Sequence, residues 1–264
     1  MILLQNAPKV DIVPDKSDFH RERIFGDSYA ATYKGENIRL GTITKFPVMC
    51  NCYEGRGWGL GWQSMPVSAI AKKHETAFMR FVTVSNGELR CHMSTGIKDK
   101  NIFPDLNIPK IYTCSSQERN VSVVVRMVEQ IANTTSFFSD EWYFQHFDGN
   151  IQRFGEWYVF NYNDCALCIK SFDGDLELIQ DGEKVRLINK FYEGEEKLLV
   201  HTRFVHSWAI VALDSCEQIE KTLSEIKTSK KEIFDPRYSR FSQPFILTCG
   251  DAVLNFDPDN IPLI

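Results

Sequence analysis

The residues best suited to contact a ligand lie in one stretch, residues 50–67, which reads CNCYEGRGWGLGWQSMPV. Aromatic faces stack on sugar rings, while guanidinium and amide groups can hydrogen-bond hydroxyls or pair with a carboxylate. Trp58 and Trp62 would lie roughly 13 Å apart on an extended strand, a separation that suits two rings of one sugar chain. The predicted carbohydrate-binding residues are Tyr53, Arg56, Trp58, Trp62 and Gln63.

Glycine occupies every second position of this stretch from Gly55 to Gly61. Successive side chains of a strand point to opposite faces, so one face would be nearly bare backbone. Glycine in a strand costs about 0.5–1 kcal/mol relative to alanine, and its usual reason is a flat group lying close to the backbone. That group is either a sugar ring or an aromatic ring of a neighbouring strand, and internal packing is the commoner use of such glycines.

Motifs of known catalytic chemistry are absent from the sequence. No phosphate-binding glycine loop, His-Glu-x-x-His or Gly-x-Ser-x-Gly occurs, and no pair of carboxylates is marked out by spacing. His201 and His206 are expected to face opposite sides of a strand, and His92 is expected opposite Arg80 as a structural residue. Catalytic residues are therefore not assigned, and no cofactor is predicted.

The eight cysteines include two close pairs, Cys50/Cys52 and Cys165/Cys168. Together they could supply four thiolates to zinc. However, Cys165 and Cys168 lie in a predicted strand, where their sulfur atoms would face opposite ways. We therefore predict free, buried cysteines and no metal site.

Charge and hydropathy exclude several partners. The net charge is −5, with 30 basic and 35 acidic residues and no basic block, so nucleic acid is not an expected partner. No apolar run is long enough for a membrane-spanning helix, and no membrane partner is expected. The N-terminus lacks the pattern of a signal peptide, so the chain is expected to be cytoplasmic or a piece of a longer protein.

Short strands at regular spacing, separated by glycine and aspartate turns, predict an all-β fold, a large antiparallel β-sandwich of the supersandwich type. Residues 1–25 are expected to be an irregular lead-in, and residues 1–264 a single domain. The predicted strands are 27–33, 38–44, 77–84, 88–94, 121–128, 157–161, 166–171, 176–180, 185–191, 198–204, 207–213, 245–249 and 252–256.

One helix is predicted near the C-terminus, from Ser215 to about Lys230. Ser215 and Gln218 have the spacing of a capping box, and Ile219, Leu223 and Ile226 form one apolar face.

Five pieces of the sequence resemble the C-terminal β-sandwich of heparinase II/III-like polysaccharide lyases. They are residues 23–29 (RIFGDSY), 57–67 (GWGLGWQSMPV), 124–128 (VVRMV), 140–142 (DEW) and 205–209 (VHSWA). The resemblance implies a large antiparallel sandwich that follows a helical toroid, in a periplasmic or secreted protein. It also implies a polysaccharide partner. In that family a tyrosine base comes from the toroid, and this chain shows no long helical array, so the catalytic tyrosine has no counterpart here.

Three functions remain open from the sequence. The first is a carbohydrate-associated sandwich that is non-catalytic alone, working with a helical toroid encoded upstream. The second is a lyase that abstracts a proton next to a uronate carboxylate with a tyrosine or histidine base. The third is a purely structural β-domain.

Overall fold

The computed structural model describes residues 18–25, 28–44, 67–71, 76–85, 88–92, 110–129, 137–193, 203–238 and 242–259. These residues form strands and one short helix, α1 (Ile219–Glu225). In chain order the strands are β1 (Asp18–Phe25), β2 (Ser28–Lys34), β3 (Ile38–Thr44), β4 (Val67–Ala71), β5 (Thr76–Ser85), β6 (Glu88–His92), β7 (Lys110–Glu118), β8 (Val121–Glu129), β9 (Phe137–Phe144), β10 (Asn150–Phe154), β11 (Trp157–Asn161), β12 (Ala166–Ser171), β13 (Glu177–Asp181), β14 (Lys184–Glu193), β15 (Arg203–Leu213), β16 (Thr228–Glu232), β17 (Phe245–Cys249) and β18 (Ala252–Phe256).

The described strands form three antiparallel sheets. Sheet I has nine strands in the order β1-β2-β3-β4-β5-β9-β14-β13, with β6 also paired to β5. Sheet II has six strands in the order β10-β11-β12-β15-β8-β7, and sheet III has the order β16-β17-β18. The predicted all-β antiparallel sandwich with one helix near the C-terminus is confirmed.

Sheet II is the middle layer of the sandwich. Alternate residues of its strands belong to two different cores, because side chains alternate across a strand. Val124 and Trp208 pack with Trp142 of sheet I in the first core. Val123 and Val211 belong instead to a second core, which also contains residues of sheet III and α1. Sheet II is therefore apolar on both faces, which explains the near-continuous hydrophobic runs of β8 and β15.

The two ends of the layer formed by sheets I and II differ. At one end the connections are short, as at residues 35–37, 119–120 and 182–183. At the opposite end, which we call the loop end, the two-residue turn 155–156 occurs together with the longer connections 45–66, 130–136 and 194–202. Loops that a rigid scaffold gathers at one end are a common place for binding sites.

Asp214 fixes the end with the short connections. Its carboxylate accepts hydrogen bonds from the backbone N–H groups of Asn37 (2.9 Å) and Ile38 (3.2 Å), and from the Tyr33 hydroxyl (2.7 Å). It lies so close to Gly35 that a Cβ atom there would be 2.0 Å from Asp214 Oδ1. This contact ties the end of β15 in sheet II to the β2–β3 turn in sheet I.

The predicted helix is correct in position but wrong in length. Gln218, in a left-handed conformation (φ 59°), is the N-cap and makes no side-chain capping bond, so the capping box is wrong. Ile219 and Leu223 are buried as predicted. The chain becomes extended at Ile226, and β16 follows because its backbone pairs with β17. Strand pairing has thus overridden the helical pattern of residues 226–230.

Other boundaries also differ from the sequence-based expectations. Residues 18–25 form β1 instead of an irregular lead-in, because they pair along β2. The predicted break between residues 204 and 207 does not exist, since β15 pairs continuously with β8 from Arg203 to Val211. Besides β1, the sequence analysis did not assign five strands: β4, β7, β9, β10 and β16.

Candidate functional site

The five predicted carbohydrate-binding residues, Tyr53, Arg56, Trp58, Trp62 and Gln63, lie outside the described residues. The described strands nevertheless fix where their segment starts and ends. Residues 45–66 connect β3 to β4, which are paired through Thr42 and Val67. The segment therefore leaves sheet I at the loop end.

Arg80 on β5 marks the point where two neighbouring strands stop. On one side of β5, β4 pairs up to Phe78, and β6 starts to pair only at Phe81. Val67 and His92, the ends of these two strands, thus lie on either side of the row of Arg80. On the other side, Arg80 pairs with Glu141 of β9. The connection 45–66 consequently ends, and the connection 93–109 begins, at a strand end beside this arginine.

Glu141 is held between two arginines on the face of sheet I that points away from sheet II. Arg80 Nε donates to Glu141 Oε1. Arg186 on β14 donates to Oε2 through Nε (2.7 Å), with Nη2 also 2.6 Å from that oxygen. The Glu141 side chain is fully buried, whereas those of Arg80 and Arg186 are 17% and 25% exposed. Two guanidinium groups against one carboxylate leave one excess positive charge.

An aromatic side chain borders this arginine pair. The Arg80 guanidinium lies 3.8 Å from the centre of the Tyr143 ring, a cation–π contact. Tyr143 in turn packs against Phe78, with ring centres 5.5 Å apart. The outer face of sheet I therefore presents a positive charge beside an aromatic surface, in the half of the sheet nearer the short connections. We call Arg80, Glu141, Tyr143 and Arg186 the arginine site.

A second ion pair lies directly behind the arginine site, between sheets I and II. Arg126 on β8 donates from Nε to Asp140 Oδ1 over 3.0 Å, and Arg126 Nη1 donates to Thr113 Oγ1 over 3.3 Å. Both charged side chains are fully buried. Burial raises the pKa of Asp140 to about 6, although Arg126 opposes this rise. The Trp208 indole N–H lies close enough to lower the pKa without making a well-formed hydrogen bond.

His206 is the register partner of Arg126 across β15 and β8. Burial lowers its pKa to about 3, and the charges of Lys230 and Arg126 act in the same direction. His206 is therefore a neutral imidazole at physiological pH. A buried, neutral imidazole suits a structural role better than that of a solvent-accessible base.

Polar groups from both sheets extend this buried region. Asn189 on β14 pairs with Asp140 across the strands and donates to Ser171 Oγ (2.8 Å) and the Asp173 carbonyl (2.9 Å). The Asp173 carboxylate accepts from the Ser207 N–H (2.6 Å) and pairs with Lys230 of sheet III. Hydrogen bonds and ion pairs thus join all three sheets at the loop end.

Sequence reasoning did not identify Arg80, Glu141, Arg186, Arg126 or Asp140 as a cluster. The signal was present, because Arg80 and Arg126 are lone charges in the apolar strands AFMRFVTV and VSVVVRMV. A charge in such a strand is rarely buried without a partner. The acidic partners of these arginines could not be named, because both come from β9, and the alternation of apolar and polar residues did not reveal that strand.

Cys165 and Cys168 lie in different cores, as the alternation of a strand predicts. Among the described residues, no group of three His, Cys, Asp or Glu side chains is arranged to hold a metal ion.

In the part of the chain that the structure describes, no helix has the length and apolar character needed to cross a membrane. His92 pairs with Phe81 instead of the expected Arg80.

Comparison with known proteins gives one loose structural resemblance. No protein-family model and no curated protein matches the chain. A crystal structure of heparan sulfate lyase HepC from Pedobacter heparinus is similar at a TM-score of 0.34 and 8% identity, over 91% of this chain and 27% of that one. A structure of a HepC mutant gives 0.37 and 11%, over 91% and 41%. The chain thus spans less than half the length of either of these lyase structures.

Proposed function

We propose that this chain is a carbohydrate-associated β-sandwich domain that binds acidic polysaccharide or oligosaccharide and is non-catalytic alone. The observation that carries the proposal is the arginine site. Its two guanidinium groups share one buried carboxylate, so a positive charge remains for a ligand. Guanidinium groups bind carboxylate and sulfate through paired N–H donors, and Tyr143 adds an aromatic surface for a sugar ring.

The position of the glycine–tryptophan segment supports the same reading. The segment 45–66 rejoins sheet I at β4, two strands away from Glu141, since β4, β5 and β9 are consecutive neighbours. Adjacent strands are about 4.8 Å apart. A chain of several sugar rings could therefore contact the arginine site and Trp58 or Trp62 together, with Arg56, Gln63 and Tyr53 as further partners.

Binding of oligosaccharides to purified variants tests this proposal. We expect the wild type to bind hyaluronan or heparan sulfate octasaccharide and not maltooctaose, which carries no acidic group. Arg186→Gln should weaken binding at least tenfold. Arg153→Gln is the matched control, because Arg153 also lies over a tyrosine ring, that of Tyr158 at 5.1 Å, but on sheet II. A wild type that binds neither acidic octasaccharide overturns the proposal.

Substitution of Trp58 and Trp62 distinguishes a ligand-binding role of these side chains from a role in the hydrophobic core. A core Trp→Ala substitution should cost about 3–5 kcal/mol of unfolding free energy. A tryptophan that stacks on a sugar should instead leave stability nearly unchanged and weaken binding. We expect at least one of Trp58→Ala and Trp62→Ala to fold normally and bind the acidic octasaccharide less well. If both unfold, the segment is structural.

Lyase activity is the alternative function and has its own signal. Proton abstraction beside a uronate carboxylate produces an unsaturated uronate that absorbs in the ultraviolet. We expect no unsaturated product from this chain alone, and its appearance would replace the binding proposal by an enzymatic one.

We also propose that residues 1–264 form one domain, because sheet II shares a core with each of the other two sheets. A helical toroid encoded upstream remains the proposed partner.

A further inference from the structure

We propose that anion binding at the arginine site is coupled to proton uptake by Asp140, so that the site binds its ligand more tightly at acid pH. This inference rests on the proposed function and concerns the regulation of the same site. Its structural basis is the adjacency of Asp140 and Glu141 on β9. The carboxylate of Glu141 joins the arginine site, and that of Asp140 joins Arg126 on the other side of the same sheet.

The charges around the two carboxylates are almost balanced. Arg80, Arg126 and Arg186 carry three positive charges, and Asp140 and Glu141 carry two negative charges when both are ionised. Protonation of Asp140 therefore doubles the net positive charge of this group from one to two. An anion on the outer face gains from that change, because part of the path between it and Asp140 runs through buried protein with weak screening.

A guanidinium group, neutral polar side chains and one imidazole surround Asp140. Arg126 and Thr113 face it from sheet II, and Trp208 approaches it from β15. Asn189 is its register partner on β14. His206, beside Arg126, has a pKa of about 3 and stays neutral between pH 5 and 8.

The proton equilibrium of Asp140 falls inside this range. Its pKa of about 6 means that the carboxyl is mostly protonated at pH 5 and mostly ionised at pH 8. A bound anion raises this pKa further, because it makes the ionised carboxylate less favourable. Thermodynamic linkage then requires that the protein with a protonated Asp140 has the higher affinity for the anion.

The expected size follows from Coulomb's law. Side chains of consecutive strand residues point to opposite faces, so the ligand anion and the Asp140 carboxylate should lie roughly 10 Å apart. At that distance, and at the dielectric constant of partly buried sites, one charge changes affinity about fivefold to tenfold. We therefore expect wild-type affinity for an acidic octasaccharide to be about fivefold to tenfold higher at pH 5 than at pH 8.

Titration of binding against pH for two variants provides the test. Asp140→Asn keeps an oxygen acceptor for Arg126 but is permanently uncharged. It should bind at pH 8 as tightly as the wild type binds at pH 5, with a flat profile between. His146→Gln is the control for removal of an exposed histidine, because the His146 side chain is 66% exposed and lies outside the arginine site. That variant should keep the wild-type profile.

Calorimetry on the wild type provides a second measurement that does not depend on folding of the Asp140 variant. Binding at pH 6.5 in two buffers of different ionisation enthalpy reports the protons taken up, and we expect clear net uptake. A flat wild-type profile, an Asp140→Asn profile that still slopes, or zero uptake overturns the coupling while binding itself stands. Absence of binding at every pH overturns the proposed function and the coupling with it.

Discussion

Asp140 and Glu141 are neighbours on β9, yet their carboxylates lie on opposite faces of sheet I and bind different arginines. Asp140 pairs with Arg126 inside the sandwich, while Glu141 pairs with Arg80 and Arg186 outside. The alternation of a strand produces this arrangement directly. Both carboxylates are fully buried, and each accepts a hydrogen bond from at least one guanidinium group.

Removal of the Glu141 charge should strongly destabilise the fold. In Glu141→Gln, two largely buried guanidinium groups would lose their shared counter-ion, which typically costs about 3–5 kcal/mol of unfolding free energy. Urea unfolding at pH 7 measures this loss. Glu183→Gln is the control, because Glu183 is 71% exposed and its pair with His146 should contribute little. Equal stability of the two variants would contradict the structural role of Glu141.

Gly35 should not tolerate a side chain. A Cβ atom at this position would lie 2.0–2.3 Å from the Asp214 carboxylate, so Gly35→Ala should displace Asp214 and cost about 2–4 kcal/mol. Gly182→Ala is the comparison, since nothing lies within 4 Å of its Cβ position and only its φ of +58° opposes alanine. That variant should lose about 1 kcal/mol. Thermal unfolding that ranks the two in the opposite order would show that the β2–β3 turn can rearrange.

The dependence of stability on pH should reveal two opposing groups. The lowered pKa of His206 gives stability that is present above pH 6.5 and is lost as pH falls towards 3. The raised pKa of Asp140 acts oppositely, because its contribution is present below pH 3.8 and is lost as pH rises through 6. Between pH 7 and pH 5 the first effect removes about 2 kcal/mol and the second adds about 1 kcal/mol.

Single variants should separate these two effects in urea unfolding at pH 7 and pH 5. Asp140→Asn should lose about 2 kcal/mol between the two values, because only the histidine effect remains. His206→Gln should instead gain about 1 kcal/mol. Parallel behaviour of both variants and the wild type would mean that neither group titrates as its surroundings indicate.

The buried cysteines should resist alkylation in the native protein. Cys168 is fully buried, and burial raises the pKa of its thiol far above the usual range. Burial likewise raises the pKa of Cys165 and of Cys249 to about 12. Because the thiolate is the reactive form, iodoacetamide at pH 8 should modify these residues only after unfolding. Mass spectrometry of the peptides provides the measurement, and rapid native modification of Cys168 would contradict its burial.

The sequence predicted the fold class because turn chemistry and alternation are local signals. Residues 157–161 and 166–171 were placed correctly, since each strand is bounded by glycine, aspartate or asparagine. Local signals failed where tertiary pairing decides, as at β16, whose residues continue a helical pattern until β17 pairs with them. They failed again at β9, where buried Asp140 and Glu141 make the strand appear polar.

The arginine site could not be predicted for the same reason. Its members come from β5, β9 and β14, and their meeting depends on the register of three strands that are distant in sequence. The glycine–tryptophan stretch was visible in the sequence because its pattern is contained in one segment. The structure places Val67, at which that segment rejoins the sheet, next to the row of Arg80, and the binding role of the segment's side chains stays a prediction.

Burial of sheet II on both faces has a consequence during synthesis of the chain. β8 pairs with β15, and Asn120 beside it donates to the carbonyl of Ala212, 92 residues later. Until β15 leaves the ribosome, VSVVVRMVE has one unpaired edge and two apolar faces exposed to other nascent chains. Such a segment has the features that favour intermolecular strand pairing. We therefore expect chains truncated before residue 203 to aggregate through β8, and the full-length protein to depend on chaperones until β15 is in place.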